Sequence, residues 1–222
     1  MSLTLLEIAT HVCEVTGLTD NLSVEQAKRF VRRRWQMLWD SRTWRQARAV
    51  DMLTVTAGEP EVALPVHLEL VTAARLGERE LIGVRDSEAM QISPAYFYES
   101  QNSPVYFLTL PRENSGQLRL RLLPIPRDGG TLTVIGKRVC PELVEDGDRP
   151  LLSGSDNALI AYAMGDMFEF MRQFSKAQAK FTEGAAHAAN MANLEDAQAA
   201  QVVRLIPNPE PLSPMDGGYF WP

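Results

Sequence analysis

Residues 27–57 read AKRFVRRRWQMLWDSRTWRQARAVDMLTVTA, and the repeat of apolar residues changes inside this stretch. Ala27, Phe30, Val31, Trp35 and Leu38, with Arg34 among them, recur every three or four residues, the spacing of one helix face, to about Ser41. From Ala49 the run AVDMLTVTA has the texture of a strand. A helix that hands over to a strand in this way divides the chain into a helical part and a β part.

Upstream, Thr4-Leu5-Leu6-Glu7 is a capping-box pattern, followed by Leu5, Ile8, Val12 and Val15 at helical spacing and by Gly17 as the terminating glycine. The loop LTDN leads to Ser23 as the expected N-cap of the second helix, with Gln26 at the capping-box position. So short a loop predicts antiparallel helices.

Downstream, Gly58-Glu59-Pro60 is a turn, EVALPVHLELVTAARL is extended on balance, and LIGV follows across a hairpin-like connection at Gly77. DSEAMQI reads as one short helix ended by Pro94. SPVYFLTLP, GQLRLRLLPIP and GGTLTVIGKRV read as three strands, with Leu118, Leu120 and Leu122 alternating with Arg119 and Arg121. Helix returns over residues 155–174, capped by Ser155, and a further alanine-rich helix begins at Ser175. Helix 155–174 is apolar on more than one stripe, so it either sits deep in the domain or meets a neighbouring subunit. Leu159, Ala163, Met167, Met171 and Phe174 are its expected buried residues, and Phe168 belongs with them. The last segment, IPNPEPLSPMDGGYFWP, holds five of the 14 prolines, which excludes helix.

The expected fold is therefore α+β: a helical bundle of two N-terminal and two C-terminal helices, an inserted small antiparallel β domain, and an extended C-terminal tail. Its parts are the N-terminal helices at 1–48, the β domain at 49–150, the C-terminal helices at 151–203, and a Pro-rich docking tail at 204–222.

The chain has 222 residues, with 45% hydrophobic and 23% charged, an ordinary globular balance. Net charge is −6, opposite in sign to a protein living mainly on phosphate contacts. The charge is uneven. Residues 1–50 carry 8 Lys+Arg against 5 Asp+Glu, residues 51–139 carry 9 against 11, and residues 140–222 carry 5 against 12. Such a chain has the charge to pair head to tail with its own copies, or simply has solvated faces. Two cysteines without a CxxC exclude a disulfide scaffold and a cysteine zinc site. The N-terminus has no basic region ahead of its apolar run, unlike a signal peptide, and no apolar stretch has membrane-helix length. The expectation is a soluble intracellular protein.

No catalytic constellation stands out, and no catalytic, cofactor-binding or metal-ligating residue is assigned. His11, His67 and His187 have no paired-ligand spacing, and GxGxxG, GxxxxGK[ST] and GxSxG are absent. Asp146 and Asp148 flank Gly147 like a fragment of a calcium loop, but a β-turn is the better reading because the remaining ligands are missing. The strongest local signal is the basic stretch from Lys28 to Arg48 with Trp35, Trp39 and Trp44 interleaved. A nucleic-acid face would use arginine on phosphate and tryptophan on bases. The stronger reading puts Trp35 in the core, Trp39 and Trp44 at the helix–sheet junction, and the arginines on an interface or solvated face. Arg32, Arg33, Arg42 and Arg45 are the candidate interface residues, with acidic partners expected from another chain. Tyr219, Phe220 and Trp221 are the expected anchors of the tail in apolar pockets of a partner.

The order of pieces resembles the head-to-tail connector (adaptor) proteins of tailed bacteriophages. The resemblance rests on the two helices with WQMLWDSRTW, on Pro104-Val105-Tyr106-Phe107 in SPVYFLTLP, on Pro124-Ile125-Pro126 ending LRLRLLPIP, and on the final helical pair. It covers residues 3–200, by order and texture. It implies a structural virion protein without enzymatic activity or cofactor. Subunits would form a ring, a dodecamer, beneath the portal in the neck of the particle, after synthesis in the host cytoplasm. The resemblance would place Arg32, Arg33, Arg42 and Arg45 at a subunit or portal interface, and dock Tyr219, Phe220 and Trp221 on the portal or a neighbouring subunit. The ring would extend the DNA channel, pass DNA without specific recognition, attach a downstream tail component, and involve no membrane. Another tail ring component (stopper or terminator), or a nucleic-acid-binding protein using residues 28–48, is the alternative.

Overall fold

The computed structural model describes residues 2–89, 91–92, 100–101, 103–112 and 116–204. Helix α1 spans Leu5–Thr16. The Glu7 N–H donates to the Thr4 hydroxyl and the Thr4 N–H donates to the Glu7 carboxylate at 2.8 Å, completing the capping box. Gly17 ends the helix in the left-handed region at φ 77°, where a Cβ would be strained. Helix α2 spans Asn21–Asp40. Its N-cap is Asp20, not Ser23. The Asp20 carboxylate accepts both the Ser23 N–H and the Ser23 hydroxyl, at 3.0 and 2.6 Å, and a charged acceptor three residues ahead outcompetes the serine. A 3-10 turn at Arg45–Ala47 then leads into the first strand.

Among the described residues nine strands follow: β1 Arg48–Val55, β2 Glu61–Ala63, β3 Leu68–Leu76, β4 Arg79–Val84, β5 Ser100–Gln101, β6 Tyr106–Leu110, β7 Arg119–Leu123, β8 Ile125–Pro126 and β9 Gly130–Arg138. A four-residue helix, α3, lies at Asp86–Ala89. Seven strands form one sheet in the order β1-β9-β3-β4-β6-β7-β2, and β5 pairs with β8. The expected purely antiparallel β domain is corrected here. β4 and β6 run parallel, as do β5 and β8, so the sheet is mixed. The long connection from Val84 to Tyr106, which carries α3, is what allows two strands to enter the sheet in the same direction. Val55 and Val62, from the strands at opposite ends of the sheet, share a buried cluster with Leu120, Leu132 and Val134. The sheet therefore curls over its own inner face.

Helix α4 spans Ser155–Phe170 and α5 spans Phe174–Arg204. The expected single helix to residue 174 stops early, because Arg172 takes φ 60° and the Gln173 N–H turns back to the Phe168 carbonyl at 2.7 Å. This αL closure ends the helix without a glycine. Phe174 opens the next helix and is 64% exposed, so its expected burial is corrected, whereas Leu159, Ala163, Met167 and Phe168 are buried and Met171 is partly so. Most of the apolar residues round α4 are met within the chain, since the helix packs against α1, α2 and α5, but Phe170 at its end is exposed. Gly165 of α4 receives the Phe181 ring, and Gly184 of α5 receives the Tyr162 ring, a reciprocal fit that lets the two helices approach closely. These helices and the 140–152 segment share a second buried cluster with Trp35, Trp39 and Trp44. The tail lies outside the described residues, as does Pro94.

Candidate functional site

The basic segment of α2 does not form one face. Lys28 is buried, its ammonium 2.8 Å from Glu25 and 2.5 Å from Asp146. The Asp146 carboxylate, with Glu25 behind it, raises the lysine pKa. Arg32 donates to the carbonyls of Leu143 and Val144 at 2.6 and 2.9 Å. Arg34 is turned into the protein onto Asp166 of α4. Arg42 donates to Asp196 of α5 at 2.7 Å, with Glu195 at 4.0 Å, and lies 5.2 Å from the Trp44 ring centroid. The Asp196 carboxylate holds the Arg42 guanidinium above its ordinary pKa. The Arg45 backbone N–H donates to Glu195 at 2.6 Å. The expectation that acidic partners come from another chain is corrected for Arg42: its carboxylates come from this chain's own last helix.

Of the four arginines singled out from sequence, Arg32 and Arg42 thus serve as internal staples. Arg33 and Arg45 are exposed, and their guanidinium groups have no hydrogen bond or ion pair among the described residues. Arg29, one helical turn before Arg33, is exposed on the same strip.

The three tryptophans are all buried. The Trp35 indole N–H donates to the Pro141 carbonyl at 2.7 Å and the Trp39 indole N–H to the Arg138 carbonyl at 3.1 Å. The Trp44 indole N–H donates to the Leu38 carbonyl at 2.8 Å. Trp39 therefore ties α2 to the end of β9, Trp44 ties the segment after α2 back onto the helix, and none of the three offers a ring face to a nucleobase. At the same junction Lys137 of β9 reaches Asp40 at 3.2 Å and Glu69 of β3 at 3.3 Å.

The acidic loop at Asp146 and Asp148 is a turn that caps α1. Asp148 accepts the N–H groups of Val144 and Glu145 at 2.7 and 2.8 Å, while the carbonyls of Asp148 and Asp146 accept the first N–H groups of the helix, from Leu5 and Leu6. Its carboxylates are engaged in holding the loop and Lys28. Among the described residues, no three His, Cys, Asp or Glu side chains converge as a metal site requires. Burial pushes the Cys13 thiol up, and pushes Cys140 up to about 12, so neither is a ready nucleophile. No helix among the described residues is long and apolar enough to cross a membrane.

What the sequence reading missed is at the α4–α5 elbow. Phe170 is 66% exposed and Phe174 64%, on either side of the left-handed Arg172, with Leu22 of α2 84% exposed nearby. A cleft lined by Leu22 and Gln26 of α2 and by Met167 and Phe170 of α4 lies there. Phe170 and Phe174, four residues apart, were visible in the sequence, but helical spacing assigned Phe174 to the core. Tyr219, Phe220 and Trp221 lie outside the described residues.

None of the curated proteins matches this chain. Lys28, Arg32, Arg34 and Arg42 are tied to partners within the chain, whereas Arg33, Arg45, Phe170 and Phe174 are exposed. The family described as SU10 adaptor protein matches residues 3–205, nearly the whole chain, and the chain belongs to that phage structural adaptor family.

Proposed function

We propose that this adaptor is a head-to-tail connector, a virion protein that forms a ring beneath the portal, extends the DNA channel and presents the surface on which the tail is built. The carrying observation is the span of the family relation, residues 3–205, which takes in both N-terminal helices, the sheet and α5. The whole folded body, and not a grafted module, is the adaptor. A ring of twelve copies in the neck of the particle is the arrangement this reading gives. Its role is structural, with no reaction and no cofactor.

The charge distribution supports it. An acidic total of −6 suits a lumen that passes DNA without gripping it, because attraction to phosphate would retard movement. Of Arg32, Arg33, Arg42 and Arg45, it is Arg33 and Arg45 whose guanidinium groups have no partner among the described residues and are left for a neighbouring subunit or the portal. Tyr219, Phe220 and Trp221 are proposed to anchor on the portal, aromatic residues being common hot spots of interfaces.

The test is purification of particles carrying the full chain, or the chain lacking residues 217–222, or Arg33→Glu with Arg45→Glu. Density for a ring directly below the portal is the expected result for the full chain, and reduced occupancy for each variant. A ring lower in the tail favours a stopper or terminator, and full occupancy of the truncated chain removes the anchor role from the aromatics.

A further inference from the structure

The molecule carries a convex and a concave surface that fit each other chemically, and they lie at opposite ends of α2. The convex one is the elbow. Phe170, Arg172 and Phe174 stand out in sequence around the helix break, and the Arg172 side chain has no ion pair among the described residues. A non-glycine residue at positive φ is held there against its intrinsic preference, an outlier of the kind that clusters at functional positions. Two exposed aromatics beside an arginine are the composition of an interface hot spot.

The concave surface is on the outer face of the sheet. Ala73, Thr133 and Ile135 floor a groove of about 510 Å³ rimmed by Arg75, Glu78 and Glu80. Cross-strand register extends the floor, since Ile135 sits between Ala73 of β3 and Val50 of β1, and Thr133 opposes Met52. Val50 is 63% exposed and Met52 75%, so an apolar strip reaches solvent across three strands. Neither Glu78 nor Glu80 has an ion pair among the described residues.

We propose that the elbow of one copy docks into the outer-sheet groove of a second copy, with Phe170 or Phe174 on the small-residue floor and Arg172 against Glu78 and Glu80. The elbow that docks there comes from another copy and not from the same chain. Leu22, beside the elbow, is at the start of α2, whereas the sheet is joined through Asp40 at its end. Twenty residues of helix place them about 30 Å apart, so no chain inserts its own elbow. Knob and hole are different surfaces, which makes the contact heterologous: each copy offers one of each, and the chain of contacts closes into a ring when the rotation permits. This deepens the ring reading, and rests on it only for closure.

The test is a charge swap in the full-length chain, followed by sedimentation velocity over rising concentration. Arg172→Glu alone, and Glu78→Arg with Glu80→Arg alone, are expected to weaken self-association about tenfold. Mixing the two variants restores it, because each acidic knob then meets a basic hole and each basic knob an acidic hole. Thermal midpoints confirm that each variant folds. A second measurement is disulfide formation between Phe174→Cys and Thr133→Cys chains; both native cysteines are buried and contribute little background. A heterodisulfide from the mixture, absent from either variant alone, is the expected result. A wild-type chain that stays monomeric, or swaps that neither weaken nor restore association, overturn the proposal. Particles in which Arg172→Glu still forms the ring overturn it while leaving the connector reading intact. Failure of the wild type to form a ring on the portal, with the mixing result obtained, overturns the connector reading alone.

Discussion

Arg34 and Asp166 meet in a two-pronged bond, Nε to Oδ2 at 2.7 Å and Nη2 to Oδ1 at 2.6 Å, inside the helical cluster. The Asp166 side chain is only 4% exposed, and the guanidinium lies 4.7 Å from the Phe181 ring centroid and 5.4 Å from that of Tyr162. One charge pair therefore ties α2 to α4 and is roofed by rings from α4 and α5. The Asp166 carboxylate holds the arginine above its ordinary pKa against the opposing effect of burial.

Removing one member leaves the other buried and unpaired. Asp166→Ala is expected to destabilise the free chain by about 3–5 kcal/mol in urea unfolding, and Arg34→Met alone by a similar amount. The double variant Arg34→Met with Asp166→Leu should recover most of the loss, because apolar residues of similar volume can replace a buried pair. A double variant as unstable as the single ones would mean that the pair contributes through more than cancellation of its own charges.

Gly165 offers a test with an informative sign. In an exposed helix interior, Gly→Ala stabilises by about 1 kcal/mol. Here an added Cβ would overlap the Phe181 ring, which itself packs under Arg34. Gly165→Ala is expected to lower stability by about 1–3 kcal/mol instead. Gly165→Ala with Phe181→Leu should regain part of it. A raised melting midpoint in the single variant would show that α5 can move away at little penalty.

The features legible in sequence were the local ones. Thr4 and Glu7 are three residues apart and announce their own helix start, and the stripe of Ala27, Val31, Trp35 and Leu38 is a one-dimensional pattern. Strand pairing is different. β1 lies against β9, with Arg48 opposite Lys137, and nothing at either position specifies the other. The parallel pair of β4 and β6 left no mark because direction is set by the connection, not by strand composition. The fates of the arginines were hidden for the same reason: Arg34 sat visibly on the apolar stripe, but Asp166 is 132 residues away. The break at Met171–Gln173 contains neither glycine nor proline, so its place could not be read, and with it went the exposed elbow.

The caps give the chain an acid sensitivity that is local. Glu7 is held below the ordinary carboxylate range first by the Thr4 backbone N–H and then by its hydroxyl, and Asp20 first by the Ser23 hydroxyl and then by its backbone N–H. Because both folded-state pKa values are lower than in the unfolded chain, the stabilisation is complete above about pH 5 and is lost as pH falls through the folded values. Glu7→Gln with Asp20→Asn should therefore lower the melting midpoint at neutral pH, and flatten its dependence on pH between about 5 and 3 relative to wild type. Parallel curves for the two proteins would show that other carboxylates dominate the acid transition.

Arg172 sets stability and assembly against each other. Its φ of 60° is one that a glycine adopts freely and a side chain with a Cβ does not. Replacing it removes that strain and takes away no ion pair of the isolated subunit among the described residues. Arg172→Gly is expected to stabilise the free chain by about 1 kcal/mol, a rise of about 2–4 °C in melting midpoint for a chain of this size. The same variant loses the guanidinium proposed to face Glu78 and Glu80, so self-association should weaken as the subunit becomes more stable. Melting measured at a dilution where the chain is monomeric, alongside sedimentation at high concentration, separates the two effects. A midpoint that falls would mean that Arg172 holds the elbow together, and an association unchanged by the substitution would leave the strained conformation without the interface role assigned to it.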